Sequence, residues 1–246
     1  THKTVTHAAA VALRLVGETS RASPRQHASS SSSSTSCLSL NCLPPYADNG
    51  RLVRPQPAIF ECNDQCSCRG RCSQSVMSQG LAESLEVFET EGRGWGVRAK
   101  DNIGPGQFIA EYVGELRSAA DVEEAVDKGG DSNLDSYLFD LDFLDDYVKK
   151  GGATAENFDR TRFVLDARVS GGVARFINHS CAPNAFPQIV FTSLQDPRRH
   201  RVALFASQFI AKGREITYDY GYRPGACIGK TMFCLCGEQS CRGQLL

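Results

Sequence analysis

The sequence lacks several features that mark membrane, repeat and fibrous proteins. Its 246 residues contain no run of about 18 apolar side chains, so no membrane span is expected. There is no internal repeat, which excludes solenoid and propeller arrays. Neither charge is in large excess, with 27 Lys and Arg against 28 Asp and Glu, and direct DNA binding is not indicated. With 41% hydrophobic residues, the composition excludes collagen-like, coiled-coil and fully disordered chains, and it suits one or two domains with a real core.

The first 36 residues have too few apolar side chains to form a core. Residues 29–36 are an unbroken run of serine and threonine, so a disordered Ser-rich leader is expected over residues 1–36. The segment Ala8–Val16 is mildly apolar with basic flanks, as in a transit peptide, but Glu18 interrupts it and favours a leader without a targeting role. The chain begins at Thr1 rather than Met, which indicates a fragment or an imperfect gene model.

Short apolar segments separated by Gly and Pro follow from residue 85 onward and indicate a mainly β fold with minor helix. The glycines between Gly92 and Gly96 predict a break, and Ala119–Lys128 predicts a short helix. The expected strands are Leu85–Phe88, Phe108–Val113, Ser136–Leu141, Phe163–Asp166, Phe186–Phe191 and Val202–Ala206.

Charge is concentrated in the middle of the chain. Residues 111–166 contain 15 acidic and 6 basic side chains, a net charge of −9, while the remainder carries +8. A solvated acidic surface explains this pattern. So does a docking surface for a basic peptide, which complementary charge would steer and orient.

Eleven cysteines form two tight clusters, which favours metal binding over a secreted disulfide framework and suggests a reducing, intracellular compartment. The C-terminal cluster contains Cys234, Cys236 and Cys241. Zinc takes four ligands, so a fourth must come from Cys181, Cys227 or an upstream cysteine. The N-terminal cluster places four thiols in eleven residues, with Cys37 and Cys42 further upstream; its members are Cys62, Cys66, Cys68 and Cys72. Metal binding is indicated there, but the number of ions stays open.

Several segments, taken in order, resemble the SET-domain lysine methyltransferases. The resemblance covers roughly residues 37–246 and is specific to the branch that methylates histone H3 at lysine nine and to the related SET–mariner fusion proteins. The segments are Arg93–Ala99 (RGWGVRA), Glu111–Glu115 (EYVGE), Asp135–Leu141 (DSYLFDL), Asp166–Arg168 (DAR), Arg175–Asn184 (RFINHSCAPN) and Glu215–Gly221 (EITYDYG).

This resemblance implies a fold of short curled sheets with a knot-like C-terminal crossing, flanked by zinc-binding segments. The implied divisions are a pre-SET zinc region over residues 37–80, a SET catalytic domain over 81–222 and a post-SET zinc segment over 223–246. The pre-SET region is incomplete, because the family normally carries nine cysteines on three zinc ions. Here only Cys37 and Cys42 remain of the first five.

The resemblance also implies roles for individual residues. Tyr220 would be the main catalytic tyrosine, Tyr112 would line the lysine channel, and Tyr218 would tune the number of methyl groups. Cys181 would complete the post-SET zinc site. The implied S-adenosylmethionine contacts are Arg93, Gly94, Trp95, Tyr137, Asn178, His179, Met232 and Phe233. The implied metal ligands are Cys37, Cys42, Cys62, Cys66, Cys68, Cys72, Cys181, Cys234, Cys236 and Cys241.

The implied activity is transfer of a methyl group from S-adenosylmethionine to a lysine of the histone H3 tail, most simply lysine nine, giving mainly mono- and dimethyl-lysine. Zinc, a histone H3 tail peptide and chromatin are the implied cofactor and partners, in the nucleus and on the chromosome. Two alternatives stay open. One is a methyltransferase for another lysine, such as lysine thirty-six, or for a non-histone protein. The other is a non-catalytic, zinc-stabilised chromatin-binding module, which the incomplete pre-SET region favours.

Overall fold

The computed structural model describes residues 44–80, 84–127, 137–143, 161–192, 196, 198–222 and 231–246. The predictions for the leader and for Cys37, Cys42 and Cys227 lie outside these residues. Within them, strands form three small sheets joined by one α-helix and two 3-10 turns, which confirms the predicted mainly β fold with minor helix. None of the helices in this described part is long and apolar enough to cross a membrane.

The first sheet contains the most apolar strands. In spatial order its members are β1 (Ile59–Phe60), β9 (Ala185–Phe191), β10 (Arg201–Ala206) and β4 (Phe108–Tyr112). Strand β10 pairs antiparallel with both β9 and β4, whereas β1 adds to β9 in parallel.

The second sheet joins segments that are far apart in the sequence. In spatial order its members are β2 (Leu85–Thr90), β3 (Gly94–Ala99), β11 (Glu215–Tyr218) and β8 (Asn178–His179). Strand β11 is central, antiparallel to β3 and parallel to β8. It therefore places the glycine-rich β3 segment on one side and the Asn178–His179 pair on the other.

The third sheet is the most polar. In spatial order its members are β5 (Gly114–Ser118), β7 (Phe163–Gly171) and β6 (Leu138–Leu141). The single described α-helix, α1 (Ala119–Asp127), follows β5 directly, and 3-10 turns lie at Met77–Gln79 and Val173–Phe176.

Side chains of β10 face two separate cores. Successive strand residues point to opposite faces of a sheet. Leu204 accordingly packs in the main core with Ile109, Ile177 and other residues of all three sheets. Phe205 packs on the other face with Tyr46, Ile59 and their neighbours in the N-terminal region 44–80. Burial on both faces explains the continuous apolar run that predicted this strand.

A buried carboxylate fastens region 44–80 to the first sheet. The Tyr46 hydroxyl donates to Glu61 Oε1 at 2.7 Å, and the Met77 backbone N–H lies 3.1 Å from both Glu61 carboxylate oxygens. The Glu61 backbone N–H donates to the carbonyl of Phe191 on β9. Burial raises the pKa of Glu61 above its ordinary value, so the surrounding donors offset a desolvation cost.

The third sheet has its own buried carboxylate, Asp166 on β7. Arg168 donates to Asp166 through Nε at 2.9 Å and Nη2 at 2.6 Å, and Arg117 on β5 donates at 3.2 Å. These hydrogen bonds, led by the one from Arg168, hold the pKa of Asp166 at about 2. The ordinary value is about 3.9, so ionised Asp166 stabilises the fold.

Replacement of Asp166 by Asn is expected to lower the free energy of unfolding at pH 7 by about 2 kcal/mol. A depressed pKa contributes stability that is present above about pH 4 and is lost as the pH falls toward 2, so neutral pH shows the full effect. Urea denaturation at pH 7 with zinc in the buffer measures it. Asp140→Asn, in the same sheet, is the matched control: Asp140 is exposed on β6 and partial desolvation raises rather than lowers its pKa, so no loss is expected. Equal losses in both variants would show that ionised Asp166 does not stabilise the fold in this way.

Candidate active site

Strands β8 and β11 bring two of the sequence motifs side by side. Thr217 pairs with Asn178 and Tyr218 pairs with His179, although each pair is separated by 39 residues of sequence. The Ser180 backbone N–H also donates to the Tyr218 carbonyl at 3.2 Å. The predicted cofactor residues Asn178 and His179 therefore lie directly beside the predicted catalytic segment.

The three tyrosines predicted from the motifs lie in one aromatic cluster. The rings of Tyr218 and Tyr220 are 4.9 Å apart, and the Tyr220 hydroxyl donates to the Ile177 carbonyl at 2.9 Å. The Tyr112 hydroxyl donates to the carbonyl of Tyr137 at 2.9 Å. Burial, together with electrostatic repulsion among these hydroxyls, raises the pKa of Tyr112, Tyr218 and Tyr220. All three hydroxyls are therefore neutral at physiological pH and are donors or acceptors of hydrogen bonds rather than bases.

Two further aromatic residues border this cluster and were not predicted as site residues. Phe139 on β6 lies 5.3 Å from Tyr112, and Tyr222 meets Tyr220 edge-on at 5.9 Å. The sequence did contain a signal for Tyr222, because Tyr218, Tyr220 and Tyr222 occur at every second position, as do side chains on one face of a strand. Phe139 lay inside a predicted strand, but nothing in the sequence indicated which face of that strand it occupies.

Glu215 organises the residues expected to hold the cofactor. Arg93, in the turn before β3, donates to both Glu215 carboxylate oxygens, at 3.0 and 2.7 Å. The Asn178 side-chain amide donates to Glu215 at 3.0 Å and to the Trp95 carbonyl at 3.1 Å. The structure places the Arg93 guanidinium against Glu215, where it fixes the β2–β3 turn against β11 and β8. The cofactor contact of Arg93 stays a prediction.

The β3 segment combines closely packed glycines with an exposed aromatic side chain. A Cβ at Gly96 would lie 2.6 Å from Thr90 Cγ2, so only glycine lets these strands approach so closely. Gly94 has a positive φ of 67°, which glycine adopts without strain. Trp95 is 56% exposed and Phe233 is 71% exposed. Trp95 lies on β3 and Phe233 in the C-terminal segment, and exposed aromatic faces of this kind offer stacking surfaces for an adenosine group.

The other two predicted cofactor contacts are partly buried. The Tyr137 ring lies under the Arg175 guanidinium at 4.4 Å, which orients its backbone carbonyl toward Tyr112. Met232 pairs through its backbone with Leu245 and Leu246, so the C-terminal segment folds back on itself beside Phe233.

His179 connects the tyrosine cluster with a sulfur. The Tyr220 backbone N–H donates to His179 Nδ1 at 3.2 Å, and His179 Nε2 lies 3.3 Å from Cys181 Sγ. Burial lowers the pKa of His179, so the ring is neutral. Because Nδ1 accepts a hydrogen bond, Nε2 carries the proton and donates to the sulfur. The His179 ring therefore links the Tyr220 backbone to Cys181.

The C-terminal thiols converge with Cys181. The sulfurs of Cys181, Cys234, Cys236 and Cys241 all lie within 4.8 Å of one another, and those of Cys181 and Cys234 are 3.7 Å apart. Four sulfurs around zinc at about 2.3 Å lie about 3.8 Å from each other, so this set fits a tetrahedral zinc ion.

The pKa values of the thiols in this cluster differ, because one thiolate disfavours a second negative charge beside it. Burial and the neighbouring thiols raise the pKa of Cys234 to about 12. For Cys236, burial acts in the same direction, but hydrogen bonds from the backbone of Cys181 and Glu238 and from adjacent thiols lower its pKa to about 7. The cluster can therefore supply a thiolate to a metal ion at neutral pH, as zinc binding requires.

The N-terminal thiols converge only in part. Cys62, Cys68 and Cys72 lie within 4.8 Å of one another and could hold a metal ion. Cys66 was predicted in the same set, but its sulfur lies outside this group. A turn at Asn63 directs it elsewhere: the Asn63 backbone N–H lies 3.5 Å from Cys66 Sγ, and the Cys66 N–H donates to the Asn63 carbonyl. Metal binding by Cys66 stays a prediction.

The chain is similar to known proteins over most of its length. The SET domain family model matches residues 94–221. The human histone-lysine N-methyltransferase EHMT1 is 41% identical over 221 residues, which cover 86% of this chain and 15% of that protein.

Solved structures give the same result for the fold. Arabidopsis thaliana SUVH6 in complex with SAM superposes with a TM-score of 0.68 at 35% identity, covering 82% of this chain and 41% of that one. KRYPTONITE in complex with mCHH DNA, an H3(1-15) peptide and SAH has a TM-score of 0.67 at 36% identity, covering 82% and 38%. The chain spans less than half the length of each of these three relatives.

Proposed function

Because this chain belongs to the SET-domain family, we propose that it is a protein-lysine N-methyltransferase that transfers methyl groups from S-adenosylmethionine to the histone H3 tail. The observation that carries the proposal is the convergence of Tyr112, Tyr218 and Tyr220 beside the Asn178–His179 strand. Relatives solved with SAM, SAH and an H3 peptide support the choice of cofactor and substrate.

S-adenosylmethionine supplies a methyl group on a positively charged sulfonium, which a neutral amine displaces in line. The chain's residues would bind and orient this group. Trp95 and Phe233 offer exposed aromatic faces for adenosine. The Asn178 backbone and the neutral His179 ring fix the strand beside it. Positioning of this kind accounts for most of the acceleration in a displacement that needs no acid at the reacting carbon.

The tyrosine cluster would hold the substrate lysine and keep its amine unprotonated. An aromatic channel with neutral hydroxyls disfavours an ammonium ion, so the lysine loses its proton to water before transfer. The nitrogen–carbon bond then forms as the sulfur–carbon bond breaks, leaving methyl-lysine and S-adenosylhomocysteine. Because the Tyr220 and Tyr112 hydroxyls donate to backbone carbonyls, their oxygen lone pairs are free to accept from the amine.

Lysine nine of histone H3 is the proposed target. EHMT1 and SUVH6 are named as histone-lysine methyltransferases, and SUVH6 as specific for H3 lysine nine. The net charge of −9 over residues 111–166 suits a basic tail. A histone substrate places the protein in the nucleus, on chromatin.

Radiolabelled methyl transfer to a panel of histone-tail peptides tests the proposal. An H3 peptide that contains lysine nine should be labelled, whereas the same peptide with lysine nine replaced by alanine should not. Equal labelling of both peptides would show that another lysine receives the methyl group. Binding of the peptide and of S-adenosylmethionine without any transfer would favour a non-catalytic chromatin-binding module.

We propose that the product is mainly mono- and dimethyl-lysine, because the Tyr218 hydroxyl limits the space for a third methyl group. Its ring faces Tyr220 at 4.9 Å and is buried, so its hydroxyl occupies space beside the reacting amine. That hydroxyl can hold a water or the amine itself. A third methyl would displace this partner and leave a buried hydroxyl unsatisfied, at about 1–3 kcal/mol, which is roughly 5- to 150-fold in rate.

Tyr218→Phe is therefore expected to produce trimethyl-lysine, with the third transfer accelerated by roughly 5- to 150-fold. Mass spectrometry of the peptide product over time measures the three states separately. The first transfer serves as the internal control and should change little. Efficient trimethylation by the wild type, or no change in methylation state for the variant, would show that Tyr218 does not set the product.

A further inference from the structure

Arg242 contacts both the C-terminal thiol cluster and the segment that carries Tyr220, and the proposed chemistry does not use it. Its backbone N–H donates to Cys181 Sγ at 3.4 Å. Its guanidinium donates to Asp219 Oδ1 at 2.8 Å and lies 3.3 Å from His179 Nε2.

The two residues that the Arg242 guanidinium contacts lie next to Tyr220. Asp219 precedes Tyr220 directly, and the same Oδ1 atom also accepts from the Gly221 backbone N–H at 2.9 Å. His179 accepts the Tyr220 backbone N–H at Nδ1. Arg242 thus restrains the Tyr220 segment through the Asp219 side chain, whereas its guanidinium only adjoins the His179 ring, whose Nε2 carries the proton.

We infer that Arg242 is a positioning residue that couples the metal-binding thiol cluster to the backbone of Tyr220. Metal held by Cys181 and Cys241 fixes the backbone of Arg242, which follows Cys241 directly. The fixed guanidinium then holds Asp219 in the arrangement that aims Tyr220. Loss of the metal releases Arg242 and, with it, the Tyr220 segment. The inference rests on the proposed function only in treating Tyr220 as catalytic.

The contacts at position 242 suit an arginine, and their removal is expected to affect one segment only. A guanidinium presents its donors in one rigid plane, so its contact with Asp219 has a fixed direction, whereas a lysine amine is a single point of charge. The Arg242 and Asp219 side chains are 38% and 42% exposed, and exposed ion pairs contribute little to global stability. Removing Arg242 should therefore loosen one segment without unfolding the protein.

Hydrogen exchange of the zinc-loaded protein, measured by mass spectrometry without cofactor or peptide, tests the inference. In Arg242→Gln, the amides of residues 215–222 should exchange roughly 5- to 20-fold faster than in the wild type, with zinc content unchanged. Arg242→Lys should give an intermediate increase. The matched control is Arg162→Gln, which removes an exposed ion pair with Glu123 of α1, next to the third sheet, and should leave these amides unaltered.

Two further measurements test the coupling itself. Chelation of the wild type should accelerate exchange in the same segment, and in Arg242→Gln it should add little more, because the connection is already broken. Asp219→Asn breaks the same contact from the other side, so its effect should not add to that of Arg242→Gln. Unchanged exchange in both single variants, or full additivity of chelation and Arg242→Gln, would overturn the inference.

The outcome is independent of whether histone H3 is the substrate. The exchange measurement uses neither peptide nor methyl transfer, so an inactive protein would contradict the proposed function and leave the coupling testable. If the protein transfers methyl groups, Arg242→Gln should lower kcat by roughly the same 5- to 20-fold while the peptide KM stays within twofold. A change in peptide KM alone would indicate substrate contact rather than positioning.

Discussion

Replacement of Tyr220 by phenylalanine is expected to reduce kcat for methyl transfer by roughly 100-fold or more. The Tyr220 hydroxyl donates to the Ile177 carbonyl at 2.9 Å, which fixes its oxygen in a buried aromatic cluster. Preorganised dipoles in such a site typically contribute factors of about 10²–10³ in rate, because they need no reorganisation as charge moves during the reaction. Phenylalanine keeps the ring packing against Tyr218 and removes only this dipole.

The loss should appear in kcat and not in cofactor affinity. The predicted cofactor contacts lie on or next to β3, β6 and β8 and in the C-terminal segment, whereas the Tyr220 hydroxyl is bonded to the Ile177 carbonyl. Calorimetric titration with S-adenosylhomocysteine should therefore give a Kd within about twofold of the wild type. Single-turnover transfer to the peptide measures the chemical step. A variant with most of its turnover intact would remove Tyr220 from the catalytic role.

The strands that were predicted correctly share a strong local pattern. Val202–Ala206 is apolar throughout because it is buried on both faces, and the structure extends it by one residue to Arg201. Phe163–Asp166 was predicted too short, since the strand continues through polar, exposed residues to Gly171. The helix beginning at Ala119 was also correct as far as Asp127, where its described residues end.

The missed strands depend on partners that are distant in sequence. The glycines of Gly94–Ala99 predicted a break, but they permit close pairing with β2 and β11 instead. The strands Ile59–Phe60 and Asn178–His179 have only two residues each, which is too short for any periodicity. Gly114–Ser118 lies in the polar third sheet and has no apolar alternation to reveal it.

The same distinction applies to the site. Residues such as Tyr220 and His179 were predictable because they stand in motifs of the family. The contacts of Glu215 with Arg93 and Asn178, and those of Arg242 with Asp219 and His179, join segments that meet only after folding. The exclusion of Cys66 from the N-terminal thiol group likewise follows from a local turn at Asn63, which cysteine spacing alone does not reveal.

The C-terminal thiol cluster supports a second large effect. Cys181 lies two residues after His179, whereas the other three thiols belong to residues 231–246. Among the described residues, this segment meets the β8–β11 region mainly through Cys181 and Arg242. A structural zinc ion contributes roughly 10–16 kcal/mol in small domains, far more than the exposed ion pair of Arg242. Metal binding must therefore provide most of the attachment.

Replacement of Cys234 by serine is expected to remove one zinc ion per chain and to reduce methyl transfer by at least about 100-fold, because both Phe233 and the Arg242 contacts lose their anchor. The main β core does not include this segment, so circular dichroism should be nearly unchanged. Cys66→Ser is the matched control, since Cys66 lies outside both thiol groups, and it should retain the C-terminal zinc and most of the activity. Elemental analysis gives the zinc content, and radiolabel transfer gives the rate. If Cys234→Ser lacks the zinc but transfers methyl groups at the wild-type rate, the C-terminal thiol cluster is not needed for catalysis.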